Sequence, residues 1–209
     1  LNSILLNGME YISTRNKKKI FSFKEVFLKG LADDGGLFVP KNIPSLSKKE
    51  LKNISKLSYN ELTVEILLKF CSDEFTKEEI KEIVINSYKY FRVKEVIEVK
   101  KIGKLNLIEL FHGPTLAFKD IAMQIIGNMY EKILKKNNLK INIIVATSGD
   151  TGAAAISAIK DRKNMKIFVL HPENKISDVQ RKFMTTVNSK NIFNIAIASD
   201  FDECQKFVK

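Results

Sequence analysis

The stretch INIIVATSGDTGAAAISAI, residues 141–159, decides the fold, because an apolar strand-like run passes through a loop of hydroxyls and glycines into an alanine-rich helical segment. Three other apolar runs have the same strand-like character, at residues 105–110, 167–170 and 192–198. Helical segments separate or follow them, at residues 119–136, 151–162, 177–187 and from 200 onward. Strands that are apolar on both faces and separated by single helices predict a parallel sheet covered by helices on both faces. The predicted fold class is α/β.

A helical pattern fills the region before this sheet, from about residue 22 to residue 90. Four positions carry a serine or threonine followed three residues later by glutamate, the signature of a capping box at a helix start: Ser22, Ser47, Ser58 and Thr76. The DDGG cluster at residues 33–36 predicts a turn into a short strand at residues 37–39, which Pro40 stops.

The change of pattern divides the chain into three parts. We expect residues 1–8 to be an upstream or non-native extension, since Met9 follows them as a candidate start. Residues 9–98 form the mostly helical amino-terminal region. Residues 99–209 form the start of an α/β domain, whose alternation of strands and helices still runs when the sequence stops, so we expect this domain to be incomplete.

The net charge of +11 raises the question of a nucleic-acid partner. Only four of the 35 basic residues are arginine, and the lysines are scattered through every segment. Surfaces that bind phosphates concentrate charge on one face and favour arginine, so we expect a solvated lysine-rich surface and no nucleic-acid partner. No apolar run approaches the roughly 18 residues of a membrane span, so we expect no membrane partner. The first residues lack a signal-peptide pattern, which favours a cytoplasmic location.

Cysteine and histidine are scarce. Cys71 and Cys204 are far apart and lack metal-type spacing, so we expect reduced structural thiols. The two histidines, His112 and His171, give no support for a metal site. His112 precedes a Gly-Pro turn, and we interpret it as a hydrogen-bonded loop histidine, with a ligand contact as the alternative.

Lys119 is the first candidate for chemistry. It stands in FHGPTLAFKD, residues 111–120, between a strand-like run and a long amphipathic helix. The apolar stripe of that helix fixes where the helix begins and so holds Lys119 at its amino end. A cation there faces the positive pole of the helix, a placement that suits an amine that must be neutral during part of a reaction. The alternative is a solvated charge balanced by Asp120.

The second candidate is the loop of residues 147–151, between the strand and helix of the opening stretch. Its hydroxyls and glycine expose backbone amides at a helix start, where a carboxylate or phosphate binds well. The residues concerned are Thr147, Ser148, Gly149, Asp150 and Thr151. No Gly-Lys-Ser/Thr follows, so the loop is not a Walker loop. Asp150 adds a negative charge, which suggests a second task such as accepting a hydrogen bond from a cofactor hydroxyl. An ordinary capped strand-helix turn is the alternative.

Four motifs occur in the order and approximate spacing seen in one enzyme family: EYISTRN at residues 10–16, LADDGGLFVP at 31–40, FHGPTLAFKD at 111–120 and ATSGDTG at 146–152. Together they resemble threonine synthase, a pyridoxal 5'-phosphate-dependent enzyme of the tryptophan-synthase-β (fold type II) group. The resemblance spans residues 9–209 and corresponds to the amino-terminal portion of that enzyme. The second and third motifs together favour threonine synthase over the dehydratases and cysteine synthases of the group.

The resemblance implies roles for both candidate stretches. Lys119 would bind pyridoxal 5'-phosphate covalently and move protons at the α and β carbons of the substrate. The loop from Thr147 to Thr151 would hold the α-carboxylate of an amino acid, and Asp150 would lie beside the 3′ oxygen of the cofactor. The implied reaction releases phosphate from O-phospho-L-homoserine and adds water, giving L-threonine.

One element of the family pattern is missing. Relatives hold the cofactor's phosphate with a glycine-rich loop in the second half of the chain, whereas no glycine follows Gly152 here. We therefore expect a fragment of an enzyme about twice as long, inactive by itself. Two alternatives stay open for the function: another fold type II enzyme such as a threonine or serine dehydratase, and a threonine-synthase-like phospho-lyase.

Overall fold

The computed structural model describes residues 8–208 and divides into two compact units, one ending at Ile85 and the other beginning at Asn86. The boundary that we predict between residues 98 and 99 falls within the second unit and stays a prediction. The predicted extension at residues 1–8 lies outside the described residues except for Gly8. Within residues 8–208, every helix is too short or too polar to cross a membrane.

The amino-terminal unit combines a two-stranded sheet with short helices. Strand β1 (Tyr11–Ser13) pairs antiparallel with β2 (Phe38–Pro40), so the predicted strand at residues 37–39 is displaced by one residue. The helices are α1 (Phe23–Lys29), α2 (Lys48–Ile54), α3 (Tyr59–Cys71) and the first part of α4 (Lys77–Tyr88). Tyr11, Phe21 and Val26 are buried together and form the core beside β1.

All four predicted capping boxes are present. The hydroxyls of Ser22, Ser47, Ser58 and Thr76 accept hydrogen bonds from the amides of Glu25, Glu50, Glu61 and Glu79, and each glutamate accepts one from the amide of its capping residue. Hydrogen bonds from Ser47, together with Lys69, lower the pKa of Glu50 to about 2. Local sequence therefore fixes where these helices begin.

An antiparallel hairpin opens the second unit, and it corrects one expectation. The apolar run at residues 105–110 was expected in the parallel sheet, but β4 (Leu105–Glu109) pairs antiparallel with β3 (Glu98–Ile102) and is separate from that sheet. The expectation is wrong because Gly103 and Lys104 form a two-residue turn, with Gly103 at φ 59°, that returns the chain directly beside β3.

The parallel sheet has three strands in the order β5-β6-β7, namely Ile141–Ala146, Met165–Pro172 and Ile192–Ile197. Both pairings are parallel, with Ala146 opposite Leu170 and His171 opposite Ala196. Helices alternate with these strands as predicted: α5 (Lys119–Lys136), α6 (Asp150–Ile159), α7 (Asp178–Thr185) and α8 (Phe201–Lys206). The predicted α/β class is confirmed, and α5 has the predicted bounds.

Helices α5 and α6 pack closely and run in the same direction. Gln124 of α5 donates a hydrogen bond from Nε2 to Ser157 Oγ of α6 at 3.2 Å, and Glu131, two turns further along α5, pairs with Arg162 just after α6. Between these contacts, a Cβ atom on Gly127 would lie 2.6 Å from the carbonyl oxygen of Ala158. The glycine therefore permits the close approach that aligns the amino ends of the two helices.

Candidate active site

Thr147 shapes the loop that joins β5 to α6. Its side chain is buried, and its Oγ1 accepts hydrogen bonds from the amides of Gly149 at 3.0 Å and Gly152 at 2.8 Å. Its own amide donates to the carbonyl oxygen of Leu170 on the neighbouring strand, at 3.0 Å. The hydroxyl that we expected to face a substrate is thus engaged within the loop and closes it into a fixed turn.

The exposed side of this loop presents polar groups. Ser148 and Asp150 are exposed, and Thr151 is half-buried. Helix α6 begins at Asp150 after Gly149, a residue with φ 138° that offers no side-chain cap. In the first turn, the amide of Gly152 is bound by Thr147 Oγ1. The positive end of the helix dipole and the amides of the first two helix positions still favour an anion at this start.

Helix α7 packs against the loop and the start of α6. A Cβ atom on Gly149 would lie 2.5 Å from Gln180 Cδ, and one on Gly152 would lie 2.7 Å from Met184 Sδ. Gln180 Nε2 also donates to Asp150 Oδ1 at 2.9 Å. Two residues one helical turn apart on α7 therefore lie close to Gly149 of the loop and to Gly152 in the first turn of α6. No signal in the sequence links Gln180 to a loop thirty residues earlier.

Lys119 is the first residue of α5, as predicted. The preceding residue, Phe118, makes no side-chain cap, and its ring is exposed. Lys119 is half-buried, and its Nζ lies 4.3 Å from the centre of the Phe118 ring. The aromatic face attracts the ammonium form and holds it beside the helix start.

Asp120 stabilises the loop in front of Lys119 instead of neutralising the lysine. It is fully buried, and its two oxygens accept hydrogen bonds from the amide and the hydroxyl of Thr115, each at 2.7 Å. Burial raises the pKa of Asp120, and the hydrogen bonds from Thr115 offset part of that rise. A Cβ atom on Gly113 would lie 2.4 Å from the Asp120 Cβ, so the loop needs glycine at that position. Leu116 completes the turn at φ 64°, which is uncommon outside glycine.

The two candidate stretches lie at the same end of the paired helices. Lys119 stands five residues before Gln124 on α5, and Gly152 stands five residues before Ser157 on α6. Because Gln124 and Ser157 are hydrogen-bonded and the helices are parallel, Lys119 and Gly152 are level along the helix axes. Lys119 and the loop of residues 147–151 therefore lie at the carboxyl end of β5, the edge where open α/β sheets bind ligands.

A second polar cluster lies at the hairpin. Glu98, Glu109 and His112 offer three possible metal ligands within 4.8 Å of one another. The Lys100 ammonium lies among them, 2.9 Å from Glu109 and 3.7 Å from Glu98, and it lowers the pKa of Glu109. His112 Nε2 lies 3.0 Å from Glu109 Oε2. The lysine already supplies the positive charge that a metal ion would bring.

The chain is similar to threonine synthases in sequence and in structure. The family model for the threonine synthase N terminus matches residues 10–88. A threonine synthase of Pseudomonas aeruginosa is 42% identical over 202 residues, which is 96% of this chain and 43% of that protein. A crystal structure described as PLP-bound threonine synthase from Brucella melitensis has a TM-score of 0.87 at 37% identity, covering 96% of this chain and 44% of that one. The yeast threonine synthase structure gives a TM-score of 0.87 at 39% identity, with 96% and 43% covered.

The parallel sheet and its helices define an α/β domain of the fold type II class. Lys119 and the loop of residues 147–151 lie at one end of those helices. This chain matches the amino-terminal portion of threonine synthases over 96% of its own length, and residues 10–88 match the model of the threonine synthase N terminus. The chain spans less than half the length of the relatives it matches. The family resemblance that the four motifs indicated is confirmed.

Proposed function

We propose that the protein carrying this chain is a threonine synthase, which converts O-phospho-L-homoserine and water into L-threonine and phosphate with pyridoxal 5'-phosphate as cofactor. The observation that carries the proposal is the placement of Lys119 level with the anion loop, in a chain that aligns over 96% of its length with threonine synthases. An amino-acid substrate needs both parts, an amine for covalent chemistry and a site for its carboxylate.

The residues present fit the cofactor. Lys119 offers a half-buried amine at a helix start, where the aldehyde of pyridoxal 5'-phosphate would be held. Gly113 and Gly149 sit where a Cβ atom would collide with Asp120 and Gln180, so the backbone at both stretches is closely packed and fixed in shape. When bound, the cofactor supplies an electron sink for carbanions at the substrate's α and β carbons.

The loop of residues 147–151 binds the substrate α-carboxylate in this proposal. Ser148 contributes an exposed hydroxyl, and the first amides of α6 contribute donors. Thr147 does not contact the substrate in this proposal; its buried hydroxyl accepts hydrogen bonds from the amides of Gly149 and Gly152 and so stabilises the loop. Asp150 is exposed at the start of α6, with one oxygen accepting from Gln180, and it would accept a hydrogen bond from the cofactor's hydroxyl when the cofactor is bound.

Lys119 moves the protons of the reaction. Its amine lies beside the Phe118 ring at the same end of the helices as the loop of residues 147–151, which supports contact with the α carbon of a substrate bound by that loop. In this proposal a neutral amine accepts the α proton and then a β proton, and the electron pair of the broken β carbon–hydrogen bond lets phosphate leave from the γ carbon with the electron pair of its carbon–oxygen bond. The γ carbon then gains a proton, water gives its hydroxyl to the β carbon and its proton to the phosphate, and the α carbon regains a proton.

Two variants of the complete natural protein test this function. Lys119→Ala should lower phosphate release from O-phospho-L-homoserine by about a thousandfold or more, because the nucleophile and proton carrier are lost together. Lys135→Ala, at the exposed far end of the same helix, is the matched control and should keep the wild-type rate. A wild-type protein that forms a keto acid and ammonia from threonine, with no phosphate release, would instead be a dehydratase. A Lys119→Ala protein with an unchanged rate would remove the proposed role.

A further inference from the structure

Gln180 makes contacts in two directions. It is the third residue of α7, where its amide donates to Ser177 Oγ at 3.2 Å and its Oε1 accepts from Ser177 N at 3.3 Å and Ser177 Oγ at 3.1 Å. On the other side, its Nε2 donates to Asp150 Oδ1 at 2.9 Å. The same side chain therefore caps α7 and contacts the loop before α6.

These contacts fix which way the amide group of Gln180 is turned. Ser177 N can only donate, so the side-chain atom facing it must be the oxygen. The nitrogen must then face Asp150 Oδ1, which accepts its hydrogen bond. Rotation of the amide by half a turn would place two donors together and two acceptors together, so the observed orientation is the one that satisfies both sides.

The choice of glutamine is specific to this helix. In the described residues, the other four capping boxes use glutamate at the same position: Glu25, Glu50, Glu61 and Glu79. Glutamate would cap α7 as well as glutamine does, since the cap uses the oxygen alone. It would, however, place a second carboxylate against Asp150. The nitrogen of Gln180 is therefore needed for Asp150 and not for the helix.

We propose that Gln180 is a positioning residue: it fixes the carboxylate of Asp150 and, by its contact with Gly149, the shape of the loop of residues 147–151. Helix α7 thereby sets the geometry in which the substrate carboxylate is bound. This inference rests on the proposed function of the loop. It adds a residue from a third element to a site otherwise made by the starts of α5 and α6.

Three variants of the complete natural protein separate this role from helix capping. Gln180→Glu keeps the cap and replaces the donor to Asp150 by a like charge, so amide hydrogen exchange at residues 149–152 should speed up by about 5- to 30-fold. The KM for O-phospho-L-homoserine should rise in step. Ser177→Ala removes the cap and keeps the Asp150 contact, so it should speed exchange in α7 and leave residues 149–152 nearly unchanged.

A reversed pair completes the test. In the double variant Asp150→Asn/Gln180→Glu, the asparagine donates and the glutamate accepts, so slow exchange at residues 149–152 should return although activity changes with Asp150. If Gln180→Glu does not fold, the double variant decides alone: a folded protein with slow loop exchange supports the inference. The inference is wrong if Gln180→Glu changes neither the amide exchange at residues 149–152 nor the KM. It is also wrong if Ser177→Ala speeds exchange at residues 149–152 as much as Gln180→Glu does, or if the double variant does not restore slow exchange there. The threonine synthase assignment would survive these results, because Lys119→Ala tests it separately.

Discussion

Thr115 donates two hydrogen bonds to Asp120, one to each carboxylate oxygen and both 2.7 Å long. Asp120 is the fully buried second residue of α5 and follows Lys119 directly in sequence, whereas Thr115 is half-buried in the turn before that helix. The Asp120 carboxylate therefore contacts the loop that precedes α5. The amine of Lys119 lies beside the Phe118 ring instead.

Loss of the Asp120 carboxylate should destabilise this turn. Asp120→Ala leaves the amide and hydroxyl of the half-buried Thr115 without their acceptor, and we expect the free energy of unfolding to fall by about 1–3 kcal/mol. Asp120→Asn keeps one carbonyl acceptor and lets its amide donate to the threonine hydroxyl, so its loss should be about half as large. Urea unfolding measures both. Equal stability of the alanine variant and the wild type would show that the two hydrogen bonds from Thr115 to Asp120 do not stabilise the fold.

Stability should also depend on pH through Asp120. Burial raises its pKa in the folded protein above the ordinary value of 3.8, so the folded state holds the proton more tightly than the unfolded state. The contribution of Asp120 is therefore fully present below about pH 3.8 and is lost as the pH rises through the folded pKa. The free energy of unfolding of wild type minus that of Asp120→Asn should fall over this window. A difference that is constant or rises with pH contradicts the assignment.

Gly127 should tolerate no side chain at the α5–α6 contact. Alanine is favoured over glycine in helices by about 1 kcal/mol, but its Cβ would lie 2.6 Å from a backbone oxygen that cannot move aside. We expect Gly127→Ala to lower the free energy of unfolding by about 1–3 kcal/mol in spite of its helix propensity. Lys135→Ala, exposed on the same helix, should change it by less than about 0.5 kcal/mol. A stabilised Gly127→Ala protein would mean that the helices are not held this close.

The hydroxyl of Thr147 should matter more than its methyl group. Thr147→Val keeps the shape and removes the acceptor for the amides of Gly149 and Gly152, so the protein should lose about 1–3 kcal/mol of stability and bind the substrate carboxylate more weakly. Thr147→Ser keeps the acceptor and should retain most of the affinity. Calorimetric titration with O-phospho-L-homoserine and thermal unfolding provide the two readouts. Serine and valine variants with the same affinity would exclude this role of the hydroxyl.

Local signals predicted the parts of the fold that are encoded locally. The capping boxes at Ser22, Ser47 and Ser58 formed as expected, because each involves residues three apart. The bounds of α5 followed from its apolar stripe. The hairpin at residues 98–109 was missed, since the run at residues 105–110 is apolar enough to resemble a buried strand and only the Gly103–Lys104 turn shows that the chain reverses.

The sequence predicted which stretches form the candidate site, but not the contacts that hold them in shape. Lys119 and the loop of residues 147–151 stand out because their residue types are unusual at strand–helix junctions. The inward hydroxyl of Thr147 and the contact of Gln180 with Asp150 depend on how the loop turns and on where α7 packs. No spacing in the sequence fixes either, so a buried hydroxyl was expected to face the ligand.

Chemical trapping of the cofactor tests the central claim most directly. The complete natural protein, loaded with pyridoxal 5'-phosphate, is reduced with borohydride, digested and analysed by mass spectrometry, since reduction makes the lysine–cofactor bond permanent. The account predicts that the peptide containing Lys119 carries the added mass of the reduced cofactor, and that Lys119→Ala abolishes the label. Labelling of a different lysine in the wild-type protein, with Lys119 unmodified, would contradict it.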